Sequence, residues 1–218
     1  MDRRVAAWAM RLAPLIGLML GVVLATVHWA VAPPLKGLLT VAAAALLTRG
    51  MHLDGLADTV DALGSYKGRE RALEIMRSPE VGPFGIVALV LVIGLQATAL
   101  SAVGFLGVVV AYTVGRLAAA IGCARGVPAA RPDGLGALVA GTVERTYLAL
   151  WAFICAAAAA GAVPSRWWQG PLAVLAALAV TLILLRHIVK RLGGITGDVL
   201  GFLVEIATTV VLIALSVA

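Results

Sequence analysis

Long apolar runs separated by short polar connections make up most of the chain. A helix needs about 20 apolar residues to cross the hydrocarbon core of a bilayer. Runs that reach or approach this length predict an all-α fold, a polytopic transmembrane helix bundle with about six to seven transmembrane helices. The run at 35–48 is short, so it either continues into the next segment or forms a re-entrant helix. The predicted spans lie near residues 12–32, 35–48, 84–100, 104–122, 147–163, 171–188 and 199–217.

The composition indicates the same class of protein. Hydrophobic residues make up 62% of the 218 residues, charged residues make up 13%, and the mean hydropathy is +1.04. Globular domains carry about 25% charged residues. No soluble module interrupts the pattern, so residues 1–218 are predicted to form a single integral-membrane domain. The polar stretch between residues 49 and 83 predicts a short cytoplasmic helical segment.

The distribution of Lys and Arg predicts the orientation, because short cytoplasmic loops hold the excess of basic residues. With the N-terminus inside, fifteen of the seventeen basic residues fall on or near the cytoplasmic side, and Lys36 and Arg166 fall outside. We attribute most of the net charge of +6 to contact with anionic lipid headgroups. No basic block with interleaved aromatic residues is present, which argues against nucleic-acid binding.

An acidic cluster occupies the segment MHLDGLADTVDALG, residues 51–64. Asp54, Asp58 and Asp61 are spaced i, i+4 and i+7, which confines them to an arc of about 60° on one face of a helix. Like charges on adjacent turns destabilise a helix, whereas a divalent cation bound between them reverses that effect. Oxygen ligands suit Mg²⁺, which takes one or two carboxylates, keeps waters and completes its shell with substrate phosphate.

A structural interpretation of the same cluster is a solvated helix start, where acidic residues favour the positive end of the helix dipole. It is the weaker interpretation, because the chain has only eleven acidic residues and uncompensated carboxylates are costly at the edge of a bilayer. Gly55 suits close approach of a ligand to the backbone, and Asp54 is a candidate N-cap. The cluster does not follow the EF-hand pattern.

A second constellation lies in RLGGITGDVLGFLVEI. Asp198 and Glu205 are seven residues apart and share a helix face, and Thr196 is either a helix cap or a phosphate ligand. Gly193 and Gly194 suit a loop whose backbone N–H groups face an anion, although a plain inter-helix turn has the same composition. The pattern is not that of a P-loop.

Basic residues near these segments are candidates for binding phosphate. Arg77 follows a predicted helix at the proline-glycine turn, and Arg131 lies in ARPDGLGA; guanidinium groups bind oxyanions through paired hydrogen bonds. Arg116 inside a span is either a further candidate or a snorkelling side chain. Cys123 and Cys155 lack metal-ligand spacing and are expected to be packing residues.

Four runs occur in a fixed order: HLDGLADTVDALG, ALEIMRSPEVGPFG, ARPDGLGA and GGITGDVLG. Together they resemble the adenosylcobinamide-GDP ribazoletransferases, also called cobalamin (5′-phosphate) synthases, and the resemblance extends from about residue 14 to the last span. The chain departs from the family at its start. Members begin with a segment resembling FLTRLP, whereas this chain opens with MDRRVAAWAMRLAPLIG, which predicts a truncated start.

The resemblance implies a multi-pass enzyme of the bacterial cytoplasmic (inner) membrane, with its active site on the cytoplasmic side, that acts late in vitamin B12 biosynthesis and requires Mg²⁺. It implies that adenosylcobinamide-GDP is joined to α-ribazole or its 5′-phosphate with release of GMP. The expected partners are these two substrates and the lipid bilayer. A homo-oligomer is left open, and no nucleic acid is expected.

This reaction is a phosphoryl transfer, which asks the protein mainly for positioning and for neutralisation of charge. The hydroxyl proton of the acceptor is expected to pass to one of Asp58, Asp61 and His52, the predicted catalytic residues. The substrate is expected to bind at Arg77, Arg131, Gly193, Gly194 and Thr196. The metal is expected to bind among Asp54, Asp58, Asp61, Asp198 and Glu205.

Two other classes of membrane protein also carry acidic residues on their helices. CDP-alcohol phosphatidyltransferases also place a D-G-x-x-A-R motif and further aspartates on membrane helices, but Asp58 stands here where that Arg would be, and the later G-x-x-x-D-x-x-x-D is absent. An ion- or proton-coupled transporter would use acidic residues at membrane depth. Inverted repeats with paired broken spans, which many transporters carry, are not visible in the sequence.

Overall fold

The computed structural model describes residues 2–217, and within them the chain folds into ten helices and no strand. The predicted all-α polytopic helix bundle is therefore confirmed. The helices are α1 Arg3–Ala30, α2 Lys36–Leu47, α3 Met51–Gly64, α4 Arg69–Ile75, α5 Pro83–Leu100, α6 Phe105–Gly122, α7 Gly134–Val139, α8 Arg145–Ala159, α9 Gln169–Leu192 and α10 Gly197–Ser216.

Five helices are long and apolar enough to cross a membrane, namely α1, α5, α6, α9 and α10. Helices α2 and α8 occupy the two other predicted spans and are apolar but shorter. Helix α1 begins nine residues before the predicted span at residue 12, because Asp2 caps it and accepts a hydrogen bond from the backbone N–H of Arg4. An N-cap acceptor satisfies one of the free N–H groups at a helix start.

The short predicted span at 35–48 forms a separate helix, and a sharp turn separates it from the next helix. Helix α2 ends at Leu47, and Arg49 and Gly50 follow with positive φ angles of 54° and 68°. Glycine adopts this left-handed conformation at little cost, so the chain turns sharply and starts α3 at Met51. Helix α3 then packs against α5 and α10.

Helix α6 lies at the centre of the bundle. Every residue from Gly107 to Gly122 is buried except Arg116, which is half-buried. Helices α1 and α10 pack on it most extensively. A Cβ on Gly21 of α1 would lie 2.9 Å from the Cα of Val109, so a glycine is needed for this close backbone contact, as is common between helices in lipid. Cys123 and Cys155 are free and buried, which confirms their prediction as packing residues.

Candidate active site

Helix α3 carries the acidic cluster. The residue at which α3 starts determines whether Asp54 caps the helix or lies inside it. Gly50 is the N-cap, and its carbonyl oxygen accepts a hydrogen bond of 2.9 Å from the backbone N–H of Asp54. Asp54 is therefore inside the first turn and is not the cap. Its carboxylate is exposed there, close to the positive end of the helix dipole, which favours an acidic side chain.

The three aspartates share α3 but have different surroundings. Asp54 is exposed, Asp58 is half-buried and Asp61 is buried. Asp61 accepts hydrogen bonds from the backbone N–H groups of Gly82, at 2.8 Å, and Gly85, at 2.9 Å, one on each carboxylate oxygen. These N–H groups belong to the start of α5, where a helix has no internal acceptors for them. Asp61 therefore caps α5, and its predicted catalytic and metal-binding roles stay predictions.

Helix α10 brings Asp198 against α3. A Cβ on Gly55 would lie 2.6 Å from the backbone oxygen of Asp198, so the two backbones are in direct contact at this point. Thr196 is the N-cap of α10: its hydroxyl accepts from the backbone N–H of Val199 at 3.3 Å and donates to the Asp198 carboxylate at 3.1 Å. The capping alternative for Thr196 is confirmed, and its predicted contact with phosphate stays a prediction.

The glycines before α10 join two segments that are far apart in the chain. Gly193 ends α9 in a left-handed conformation with a φ of 79°. A Cβ on Gly194 would lie 2.4 Å from the carbonyl carbon of Ala129. Backbone hydrogen bonds link Ile195 to both sides of Ala129, from the Ile195 N–H to Pro128 and from the Ala130 N–H to Ile195, each at 2.9 Å. The left-handed φ accounts for Gly193, and close backbone packing accounts for Gly194. The predicted role of both glycines in substrate binding stays a prediction.

A cavity of about 430 Å³ opens beside these elements. We call it the arginine cavity, and its polar lining side chains are Arg77, Arg131, Asp133, Thr196 and Asp198. One guanidinium nitrogen of Arg77 donates to both oxygens of Asp133 at 2.9 Å, and Arg131 donates to the carbonyl oxygen of Leu73. The structure therefore brings four predicted site residues together with Asp133, which the sequence reasoning missed although it lies in the ARPDGLGA run.

Asp58 lies within electrostatic reach of this cavity. The pKa of its carboxyl group is raised to about 7, mainly by burial and further by the negative charges of Asp54, Asp198 and Asp61, while Arg131 opposes the increase. Burial likewise lowers the pKa of Arg131, and the charge of Arg77 acts in the same direction. Acidic side chains from α3 and α10 thus repel one another beside two guanidinium groups, an arrangement that favours binding of a cation together with an anion.

His52 and Glu205 lie elsewhere, around a small cavity of about 20 Å³ inside the bundle. We call it the buried polar cavity; its polar lining side chains include His52, Gln96, Tyr112, Arg116 and Glu205. The side-chain amide of Gln96 donates to Glu205 at 2.8 Å and to Thr209 at 2.9 Å. Asp198 and Glu205 share a face of α10, but their seven-residue separation spans about 10 Å along the axis. The structure therefore does not bring His52 or Glu205 into the arginine cavity.

Between residues 2 and 217, no group of three or more His, Cys, Asp and Glu side chains is arranged so that it would hold a metal ion alone. Mg²⁺ seldom uses such a cage, because it keeps several waters and binds through one or two carboxylates together with substrate phosphate. The oxygen donors of Asp54, Asp58 and Asp198 and their mutual repulsion fit a cation of this kind.

Comparison with known proteins identifies the family. Residues 1–216 match the family model described as CobS, cobalamin-5-phosphate synthase. The chain belongs to the cobalamin-5-phosphate synthase family. All four runs that resemble this family lie inside the matched residues. Three of them contribute side chains to the arginine cavity: GGITGDVLG, ARPDGLGA and, through Arg77, ALEIMRSPEVGPFG.

Curated relatives of this cobalamin synthase family cover almost the whole chain. A protein of Frankia casuarinae named adenosylcobinamide-GDP ribazoletransferase is 43% identical, covering 99% of this chain and 87% of the relative. Proteins with the same name from a Nocardioides species and from Corynebacterium efficiens are 40% and 36% identical; the alignments cover 98% and 100% of this chain and 88% and 84% of those relatives. No solved structure matches the chain.

Proposed function

We propose that the chain is an adenosylcobinamide-GDP ribazoletransferase, a transferase of cobalamin biosynthesis. It would join adenosylcobinamide-GDP to α-ribazole or to α-ribazole 5′-phosphate and release GMP. The names of its relatives support this activity. It would be a multi-pass protein of the bacterial inner membrane, and the distribution of basic residues supports a site on the cytoplasmic side.

The observation that carries the proposal is the convergence of distant segments at one cavity. Arg77 follows α4, Arg131 precedes α7, and Thr196 with Asp198 starts α10, yet all four line the arginine cavity. Helix α3 adds Asp58 at its edge, within reach of the charges of Arg131 and Asp198. Transfer of a phosphoryl group from a diphosphate needs cationic groups beside a metal site. Guanidinium groups beside carboxylates are suited to that need, which supports the proposal.

We assign the Mg²⁺ site to Asp54, Asp58 and Asp198. These carboxylates come from two helices whose backbones touch at Gly55 and Asp198, and each of Asp54 and Asp198 raises the pKa of Asp58. Bound there, Mg²⁺ would neutralise charge on the diphosphate oxygens, including the oxygen that leaves with GMP. Asp61 and Glu205 are less suited, because the first caps α5 and the second faces the buried polar cavity.

Arg77 and Arg131 hold the diphosphate of adenosylcobinamide-GDP, since guanidinium groups donate several hydrogen bonds to phosphate oxygens. Arg77 would exchange its contact with Asp133 for this contact. Ile195, Thr196 and Gly197 line the same space. Asp58 is the predicted proton acceptor whose charge interacts with Arg131 and Asp198 of the arginine cavity, so one of its carboxylate oxygens takes the proton of the attacking ribazole hydroxyl.

The test uses the full chain purified in detergent and supplied with adenosylcobinamide-GDP, Mg²⁺ and either α-ribazole or its 5′-phosphate. We expect GMP release coupled one-to-one to formation of the cobalamin product. Asp58→Asn should abolish it while helical content is retained, and Glu80→Gln, which removes an exposed acid elsewhere, should not. Product formation that persists in EDTA and in Asp58→Asn would exclude the metal role proposed for Asp58.

A further inference from the structure

A second large cavity lies away from the arginine cavity, between α8, α9 and the end of α6. It has a volume of about 710 Å³ and is open along one side. We call it the basic groove, because four basic residues line it: Arg125, Arg145, Arg186 and Lys190. Nothing in the proposed transferase chemistry uses these residues.

The wall that α9 contributes to the basic groove is apolar over most of its length. Leu178, Leu182, Leu185 and Val189 line the groove at spacings of four, three and four residues, which places them on one face of the helix. This stripe is about 17 Å long. Leu148 and Ala152 of α8 face it. Leu182 is 43% exposed, so the stripe is open at the side, where a spanning helix meets acyl chains.

The basic residues collect at one end of this stripe. Arg186 and Lys190 lie in the last two turns of α9, Arg145 is the first residue of α8, and Arg125 follows the end of α6. Arg125 forms an ion pair of 2.8 Å with Glu144. Arg145, Arg186 and Lys190 have no acidic partner within 4.0 Å in the described part of the chain. Three positive charges at the head of an apolar stripe therefore stay unneutralised.

We propose that the basic groove binds an anionic phospholipid. Its phosphate contacts Arg145, Arg186 and Lys190, and one acyl chain lies along the stripe from Leu185 to Leu178. Basic pockets between membrane helices bind anionic headgroups, and burial of an acyl chain contributes favourable free energy in proportion to its apolar area. A zwitterionic headgroup brings its own ammonium group close to the three cations, so a lipid with net negative charge binds more tightly.

The two cavities use opposite ends of the same loop. Arg125, Gly126 and Pro128 line the basic groove, whereas Arg131 and Asp133 line the arginine cavity. The backbone hydrogen bonds of Ile195 with Pro128 and Ala130 hold the loop between them. The lipid site is therefore distinct from the proposed substrate site. The test must distinguish binding of a lipid in the basic groove from binding of the substrate in the arginine cavity.

The experiment measures lipid retention and thermal unfolding of the full chain in detergent with added phosphatidylglycerol or phosphatidylcholine. Native mass spectrometry counts bound lipids. We expect phosphatidylglycerol to be retained preferentially and to raise the unfolding midpoint by several degrees more than phosphatidylcholine. Arg186→Gln/Lys190→Gln should weaken phosphatidylglycerol binding by about 30-fold, the factor expected for two basic residues. Arg4→Gln/Lys67→Gln removes the same charge from exposed positions outside the groove and should leave retention unchanged.

A second pair of variants tests the apolar stripe with all charges present. Leu182→Trp fills the groove and should reduce phosphatidylglycerol retention, whereas Ile183→Trp, at the neighbouring exposed position that does not line the groove, should not. Three outcomes would each overturn the proposal: equal retention of the two lipids, an unchanged preference in Arg186→Gln/Lys190→Gln, and a thermal shift reproduced by inorganic phosphate alone. Displacement of bound phosphatidylglycerol by adenosylcobinamide-GDP would assign the groove to the substrate instead.

Discussion

Gly55 of α3 and Asp198 of α10 are in backbone contact: a Cβ on Gly55 would lie 2.6 Å from the carbonyl oxygen of Asp198 and 2.9 Å from its Cα. Three residues away in both helices, a Cβ on Gly201 would lie 3.1 Å from the Cα of His52. Helices α3 and α10 are therefore antiparallel at this contact. The contact fixes their relative position along the helix axes, and with it the position of Asp58 relative to Asp198. The proposed metal site depends on this register more than on any single side chain.

Gly55→Ala should separate the two helices, because the atoms that the new methyl group meets are backbone atoms and cannot rotate away. Overpacking of this kind costs about 1–3 kcal/mol, and a shift of about 1 Å at the reacting groups is enough to lower activity about 100-fold. We expect a lower unfolding midpoint and a large loss of GMP release. Both are measured on the purified chain in detergent.

The matched control is Gly94→Ala in α5. A Cβ at Gly94 meets nothing within 4 Å, and alanine is the better helix former by about 1 kcal/mol. This variant should keep full activity with equal or higher stability. If Gly55→Ala also keeps wild-type activity, the contact between α3 and α10 does not position the site.

The length of the apolar runs was sufficient to predict the long apolar helices, because each apolar run is a local property of the sequence. The short helix α7 at Gly134–Val139 was not predicted. Helical spacing was not sufficient to distinguish Asp61 from Asp58, since both fit the same helical arc and only the start of α5, more than twenty residues later, makes one of them a cap. The shared helix face of Asp198 and Glu205 likewise did not show that the two side chains line different cavities. Nor does the pairing of Arg77 with Asp133, 56 residues apart, leave a signal in helical spacing.

Asp61→Asn and Asp58→Asn should have opposite effects. Asn at 61 keeps one acceptor oxygen for the α5 N–H groups and loses the charge, so we expect a loss of about 1.5–3 kcal/mol, the typical contribution of a hydrogen bond to a charged group. Asn at 58 removes a carboxylate that its neighbours repel, and stability should be unchanged or higher. Thermal unfolding measures both variants, and the Mg²⁺ concentration for half-maximal activity should change little in Asp61→Asn. Higher stability of Asp61→Asn than of the wild type would contradict the capping role.

Stability without divalent cations should fall as the pH rises from about 4 to about 7. The pKa of Asp58 is raised in the folded protein from 3.8 to about 7, so the folded state disfavours the ionised form. This penalty is absent below the unfolded pKa, grows between the two values and is complete above 7. Mg²⁺ bound to the carboxylates removes it. The Mg²⁺-induced rise in unfolding midpoint should therefore be larger at pH 8 than at pH 6, and Asp58→Asn should lose this difference. An equal rise at both pH values would place Asp58 outside the metal site.

Arg77→Gln should raise the KM for adenosylcobinamide-GDP by about tenfold or more, because a charged hydrogen bond to phosphate is lost. Its pair with Asp133 is more than half exposed, and such pairs contribute about 0–1 kcal/mol to stability, so the unfolding midpoint should hardly change. Arg71→Gln is the control, since Arg71 forms a similarly exposed pair with Glu74 outside the arginine cavity. Equal KM values for the two variants would remove Arg77 from the substrate site.

Glu205→Gln distinguishes a metal ligand from a side chain that stabilises the buried polar cavity. Glu205 and Arg116 line the buried polar cavity, and Glu205 accepts a hydrogen bond of 2.8 Å from Gln96. Loss of a hydrogen bond to a charged group costs about 1.5–3 kcal/mol, and the change leaves the positive charge of Arg116 in the cavity without the opposite charge of Glu205. We expect a strongly lowered unfolding midpoint in Glu205→Gln and a partial recovery of the midpoint in Arg116→Gln/Glu205→Gln. The protein that remains folded and active should have an unchanged Mg²⁺ requirement. Retained stability together with a raised Mg²⁺ requirement would instead make Glu205 the metal ligand that the sequence predicts, and α10 would then have to rearrange on substrate binding to bring Glu205 to Asp198.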